Sequence, residues 1–219
     1  MIDTSLDRYV RQLPKSSISI CVGARDGGSI ARLAALGPGH CVLAFELDPQ
    51  KCERLRRRFR GRPSIEIENI ALMERGGELQ FFGLPGGSSL GGTAARLRGS
   101  SAFTVAITRL VSLDEYCRER GLGEIALLKV DTRTFAREIL NGAAALLDGQ
   151  RIGAVTFKAL PVRPHDDGVA PWELSCVMAA SGYRLAGVDT VAWSPEAGVE
   201  YRDPLYLPAL CHSPKKEIL

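Results

Sequence analysis

The sequence has no apolar run near the roughly 18 residues of a membrane-spanning helix, no C-x-x-C pair and only three histidines. The first absence excludes a spanning helix. Asp3, Asp7, Arg8 and Arg11 stand where a secretory leader would need an apolar core, so a cytoplasmic location is expected. The six cysteines, at 21, 41, 52, 117, 176 and 211, are scattered, and several lie in strand-like runs where the thiol behaves as a small hydrophobe. That pattern excludes a disulfide framework and a structural zinc site. Internal repeats and low-complexity segments are also absent.

What is present is ordinary globular chemistry: 45% apolar and 24% charged residues over 219 positions. This suffices for one sizeable core and predicts a single domain over 1–219. Apolar β-prone runs alternate with helical patterns, which argues for an α/β fold with a mainly parallel, doubly wound sheet. After an N-terminal helical extension at 1–17, strands are expected at 18–22 and 41–46 with a helix at 28–36 between them. Asp48 caps the next helix with Pro49 at its first position, and the Gly61-Arg62-Pro63 turn stops it.

A third strand is expected at 64–70. Residues 78–82 and 103–107 alternate as half-buried strands of a β-hairpin insertion, around a Gly- and Ser-rich stretch at 83–101 that reads as a mobile loop. Strands at 125–131 and 152–157 flank a helix that runs to residue 147. A helix at 172–181, a strand from Gly182 and an antiparallel edge strand around Tyr206-Leu207 complete the pattern.

Two segments carry chemistry. Gly23-Ala24-Arg25-Asp26-Gly27-Gly28 turns the first strand into a helix, and Glu46 closes the second strand beside Leu47. A glycine turn and a lone strand-end carboxylate form the front half of a nucleoside-binding crossover, with the ligand outside the carboxyl ends of the strands. A carboxylate there accepts ribose hydroxyls, in bonds worth about 1.5 to 3 kcal/mol each. A dinucleotide site needs G-x-G-x-x-G so that backbone can approach a pyrophosphate, but Arg25 occupies the second glycine's place. S-adenosylmethionine carries no phosphate and fits the looser turn. The alternative is that the glycines serve strand-to-helix packing alone. Asp26 and Ser29 either meet the cofactor's amino acid end or cap the helix. Asn69, Ile70 and Ala71, closing the third strand, are placed to meet an adenine, and Asn69 equally suits a turn.

These residues, in order and spacing, resemble the FkbM family of S-adenosylmethionine-dependent methyltransferases. Val22-Gly23-Ala24-x-x-Gly27 is similar to its V-G-A-N-x-G, Phe45-Glu46-Leu47-Asp48-Pro49 to F-E-P-D-P, and Asn69-Ile70-Ala71-Leu72 to N-x-A-L. Ser88-Ser89-Leu90 resembles its S-S-L loop, Ser112-Leu113-Asp114-Glu115-Tyr116 its T-L-D-D-Y, and Leu128-Lys129-Val130-Asp131 its L-K-I-D. Ile139-Leu140-Asn141-Gly142-Ala143 and Gly182-Tyr183-Arg184 match two later motifs, V-L-x-G-A and G-Y. The resemblance implies a Rossmann-like class I methyltransferase sheet and O-methylation of a hydroxyl on a sugar or small natural product. Asp131, closing the fourth core strand, would either take the hydroxyl proton or hold the cofactor's amino group.

The chain departs from that family at one rim. Cys21 stands where the family has an acid, Lys129-Val130-Asp131-Thr132-Arg133-Thr134-Phe135-Ala136 lacks both glutamates of K-I-D-V-E-G-x-E, and Phe157-Lys158 replaces F-E. One consequence is an acceptor with an anionic group that Arg133 and Lys158 meet. The other is lost catalysis, leaving a binding or assembly partner. No bound metal is expected. His165, in Pro164-His165-Asp166-Asp167, is either a second candidate base or a solvated loop histidine. Ser88 and Ser89 either belong to a lid over substrate or to a plain loop.

Lys51, Arg54, Arg56, Arg57, Arg58, Arg60 and Arg62 form a basic run that reads as a solvated helix face. No RNA-binding motif is interleaved with it, which disfavours nucleic acid and leaves a small-molecule acceptor as the expected partner. A nucleic-acid methyltransferase would show salt-sensitive RNA or DNA binding. A homo-oligomer stays open.

Overall fold

Fully buried apolar runs have only one stable place in an α/β protein, the centre of a sheet covered on both faces. The computed structural model describes residues 4–84, 87–90, 104–132, 135–158, 169–194 and 198–209. In chain order these form α1 (Ser5–Gln12), β1 (Ile18–Val22), α2 (Gly28–Leu36), β2 (Cys41–Phe45), α3 (Pro49–Arg58), β3 (Ile65–Glu68), β4 (Ile70–Leu72), β5 (Gly77–Leu84) and β6 (Gly87–Leu90). There follow β7 (Thr104–Val111), α4 (Leu113–Glu119), β8 (Leu127–Val130), α5 (Ala136–Asn141), α6 (Ala144–Asp148), β9 (Val155–Phe157), α7 (Pro171–Ala180), β10 (Tyr183–Ser194) and β11 (Gly198–Pro208).

The main sheet has the order β10-β11-β9-β8-β1-β2-β3. β3, β2, β1, β8 and β9 are parallel, and β11 is antiparallel to both neighbours. Alternation along β1 divides the core: Ile20 and Val22 face one apolar cluster with Leu113, Leu140 and Leu174. Cys21 faces the other, with Leu6, Ile30 and Leu55. Helices α1, α2 and α3 therefore cover one face and α4 to α7 the other. From β1 the chain winds outward through β2 and β3, then returns to β8 on the opposite side of β1. This reversal opens a crevice at the carboxyl ends of β1 and β8.

The structure corrects four boundaries. The strand expected at 64–70 breaks at Asn69, whose Nδ2 donates to the carbonyls of Glu46 and Leu47, both 3.0 Å away. Beyond the break, β4 joins a second sheet of order β4-β7-β5-β6. Part of the stretch read as a mobile loop, 83–101, is strand: Leu84 ends β5, and β6 pairs antiparallel with it from Phe81↔Leu90 to Leu84↔Gly87. Residues 85–86 and 91–103 lie outside the described residues.

The helix expected to run to 147 is two, α5 and α6, because Gly142 packs directly on backbone. A Cβ there would stand 2.1 Å from the Met73 carbonyl oxygen. Asp114 then caps the restarted helix, accepting from Ala145 and Leu146 N–H at 2.8 and 3.0 Å. Finally, the strand around Tyr206 is not the edge. Tyr206 stacks on Phe157 with ring centroids 5.4 Å apart and shares a hydrogen bond with Ser175, which seats β11 between β9 and β10.

Candidate active site

The glycine turn contains two left-handed glycines that do different work. Gly23 (φ +79°) lies against β8, where an added Cβ would stand 3.0 Å from the Asp131 carbonyl oxygen. Gly27 (φ +85°) lies against α3, where a Cβ would meet Leu55 and Phe59 at 2.8 Å. Packing therefore accounts for Gly27, while Gly23 brings the turn against the end of the neighbouring strand. Gly23 and Ala24 N–H both donate to the Phe45 carbonyl, at 2.9 and 3.2 Å, which ties the turn to β2.

Glu46 completes that tie. Its Oε2 accepts from Arg25 N–H at 2.9 Å and its Oε1 from Asp48 N–H at 3.1 Å, and the residue is only 4% exposed. Arg25 holds a left-handed backbone (φ 52°) that aims its N–H at the carboxylate. A carboxylate has about four acceptor sites, so two remain for a ligand. Leu47 offers its carbonyl to Asn69 and to Thr108 Oγ1 (2.9 Å), so Asn69 is a brace between loops. Ile70 and Ala71 follow directly, half-buried and buried, at the start of β4.

The opposite wall is charged. Asp131 Oδ2 accepts from Ser29 Oγ at 3.0 Å, and its Oδ1 lies 3.8 Å from Lys158 Nζ. Lys129, 6% exposed, lies 3.7 Å from Asp203 of β11. Arg32 of α2 reaches Asp7 with two bonds of 2.8 Å. Burial works to raise the Asp7 carboxyl, but the Arg32 and Thr4 hydrogen bonds and the Arg32 charge together hold it below its ordinary value. Ser29, Arg32, Lys129, Asp131, Lys158 and Asp203 line a cavity of about 190 Å³ between α1, α2, β11 and the carboxyl ends of β8 and β9. Cys21 lies fully buried beside it, register partner of Lys129, and burial pushes its thiol up to about 12. The position is therefore neutral.

The structure thus brings Gly23, Ala24, Ser29, Glu46, Leu47, Asn69, Asp131 and Lys158 to one edge of the sheet. Asp26 is exposed and accepts from Gly28 N–H of its own loop at 3.1 Å. Ser88 and Ser89 fall in β6 of the second sheet. Arg133 and His165 lie outside the described residues. Lys129, Asp203 and Arg32 are additions. A lysine inside the run Leu127-Leu128-Lys129-Val130 is a legible signal, since lysine is almost never fully buried without a partner. Asp203 carries no comparable signal. Among the described residues no three His, Cys, Asp or Glu side chains group to hold a metal, and no helix is long and apolar enough to cross a membrane. Of the basic run, Arg56 bonds the Ile67 carbonyl, Arg57 pairs with Glu53, and Arg58 reaches the Asp26 carbonyl.

A glycine turn at the switch point, a carboxylate closing β2 and one antiparallel strand set between β9 and β10 define the Rossmann-like methyltransferase class. The chain belongs to the FkbM methyltransferase family: the family model described as Methyltransferase FkbM domain matches residues 22–184. No curated protein matches the sequence. Solved structures share the fold. The methyltransferase FkbM from Methylobacillus flagellatus KT is 15% identical with a TM-score of 0.56, covering 91% of this chain and 47% of its own. This chain thus spans about half the length of that protein. The N-terminal domain of EvdMO1, crystallised in the presence of SAH and D-fucose, is 10% identical (TM-score 0.52; 93% of this chain, 80% of that one). Magnesium protoporphyrin IX methyltransferase from Synechocystis PCC 6803, with bound SAM, is 8% identical (TM-score 0.53; 93% and 76%).

Proposed function

We propose that this chain binds S-adenosylmethionine at the carboxyl ends of β1, β2 and β8 and methylates a hydroxyl oxygen of a small molecule. The observation that carries the reading is the buried Glu46 carboxylate, held by two backbone N–H groups of the adjoining loops with acceptor sites to spare. Those free acceptor sites fit the two O–H donors of a ribose diol, and the turn at Gly23 and Ala24 fits a cofactor with no phosphate. Ile70 and Ala71 offer apolar surface for the adenine, and Ser29 stands at the amino acid end.

When bound, the cofactor supplies a methyl carbon on a positively charged sulfur, which a hydroxyl oxygen takes as the carbon–sulfur bond breaks. The chain's own part is alignment and proton removal. Asp131 accepts the hydroxyl proton on Oδ1, while Ser29 fixes its Oδ2 and Lys158 Nζ stands 3.8 Å from Oδ1. His165 is the alternative base, and Ser88, Ser89 and Arg133 are candidates to line the acceptor.

Calorimetric titration of the full chain with S-adenosylhomocysteine tests the cofactor site. One saturable site is expected, weakened about ten- to a hundredfold in Glu46→Gln. Absence of binding at millimolar ligand overturns the reading. Cys21, neutral at the end of β1, supports a second reading, a methyltransferase-like binding or assembly partner without catalysis. Transfer of labelled methyl to any hydroxylated acceptor rejects that alternative.

A further inference from the structure

The replaced acids of the rim lead to an anionic acceptor if Lys158 is free to meet it, but Lys158 faces Asp131. Lys129 faces Asp203 and Arg32 is held by Asp7. Each described cation lining the cavity therefore meets its own carboxylate, and an entering anion would have to displace one. Both lysine pairs are nonetheless too long for direct hydrogen bonds, at 3.8 and 3.7 Å against the 2.7–3.2 Å of an N–H···O contact. An oxygen set to one side of such a pair can lie about 2.8 Å from both ends. A hydroxyl there accepts from the ammonium and donates to the carboxylate.

Two such brackets in one cavity make a specific demand. Lys129 lies on β8 and Asp131 follows the strand directly, and both side chains line this cavity. Lys129 is nine-tenths buried, and a buried cation is costly unless its remaining donors are satisfied. The cavity, about 190 Å³, holds about six water volumes at 30 Å³ each. That suits one small ring and excludes a second nucleotide.

We propose that this cavity is a polyol subsite for the acceptor: Asp131 and Lys158 bracket the hydroxyl that is methylated, and Asp203 and Lys129 bracket a second hydroxyl of the same neutral molecule. The second pair then selects which hydroxyl reaches Asp131. Lys129 and Asp203 are specificity residues, absent from the cofactor's own contacts. This rests on the methyltransferase reading above, which the test separates from it.

Full-length protein is titrated first with S-adenosylhomocysteine, then, once saturated, with D-galactose, D-fucose, myo-inositol and D-galacturonate. Neutral polyols are expected to bind, at least one of them more tightly than the uronate. Lys129→Met and Asp203→Asn should each weaken that polyol about tenfold or more while leaving S-adenosylhomocysteine affinity within about twofold. Thermal unfolding reports whether each variant is folded, and Asp203→Asn carries the test should Lys129→Met fail to fold. Tighter uronate binding, no polyol binding to the loaded protein, or variants that weaken S-adenosylhomocysteine instead overturn the subsite. Failure of S-adenosylhomocysteine itself to bind overturns the methyltransferase reading, and the subsite with it.

Discussion

Gly23 and Gly61 have nearly the same left-handed backbone, φ +79° and +78°, but only Gly23 has a neighbour within reach of an added Cβ. Gly61→Ala incurs the left-handed penalty alone, about 1 kcal/mol. Gly23→Ala adds contact with the Asp131 carbonyl and should cost about 2–4 kcal/mol. Urea denaturation of the two variants measures the difference, and equal costs would remove the close approach between the turn and β8. Asp7 gives a second test. Its folded carboxyl lies below the ordinary value near 3.8, so its contribution is full above that value and is lost as pH falls through the lower folded value. Asp7→Asn should cost about 1–2 kcal/mol at pH 7, and the gap to the parent should close as pH falls below about 3.8. A gap that persists at pH 2 would place the cost in packing rather than charge. At this scale the site was partly legible: Glu46 and Gly23 stand in local motifs, whereas the tie between Lys158 and Asp131 depends on strand order that no local pattern encodes.

Elements were legible where one segment decides its own state. β1, β2 and β8 are apolar runs, and α3 is announced by Asp48, whose Oδ1 accepts from Gln50 N–H at 2.9 Å, with Pro49 at the first helical position. They were not legible where a distant partner decides. Asn69 breaks a continuous β-pattern because Glu46 and Leu47 present carbonyls to it, and β11 moves inward because Phe157 receives Tyr206. Asn69→Ala tests the first case. It removes two side-chain hydrogen bonds and should cost about 1–3 kcal/mol in chemical denaturation. Because those bonds brace the loop that carries Glu46, S-adenosylhomocysteine affinity should fall as well. Lost stability with unchanged affinity would make Asn69 a turn residue only.

The molecule's charge is polarised: Lys51 and the six arginines up to Arg62, less Glu53, give about +6 on one segment of a chain whose net charge is +3. Several of those cations are tied to nearby carbonyls or carboxylates, Arg58 among them at the Asp26 carbonyl of the glycine turn. The candidate site is likewise a junction. The turn at Gly23 hangs from β2 through Phe45 and Glu46, abuts β8 at Asp131, and is backed by α3 at Gly27, so it joins both core clusters. A ligand held there clamps elements that otherwise meet only through the sheet. S-adenosylhomocysteine at a hundred times its dissociation constant should therefore raise global stability by about 2.7 kcal/mol. Amide exchange should slow at Ala24 and Arg25 and beyond β8 at Asp131, and change little in β5 and β6. Protection confined to the second sheet, with the turn unchanged, would move the ligand away from Glu46 and with it the proposed chemistry.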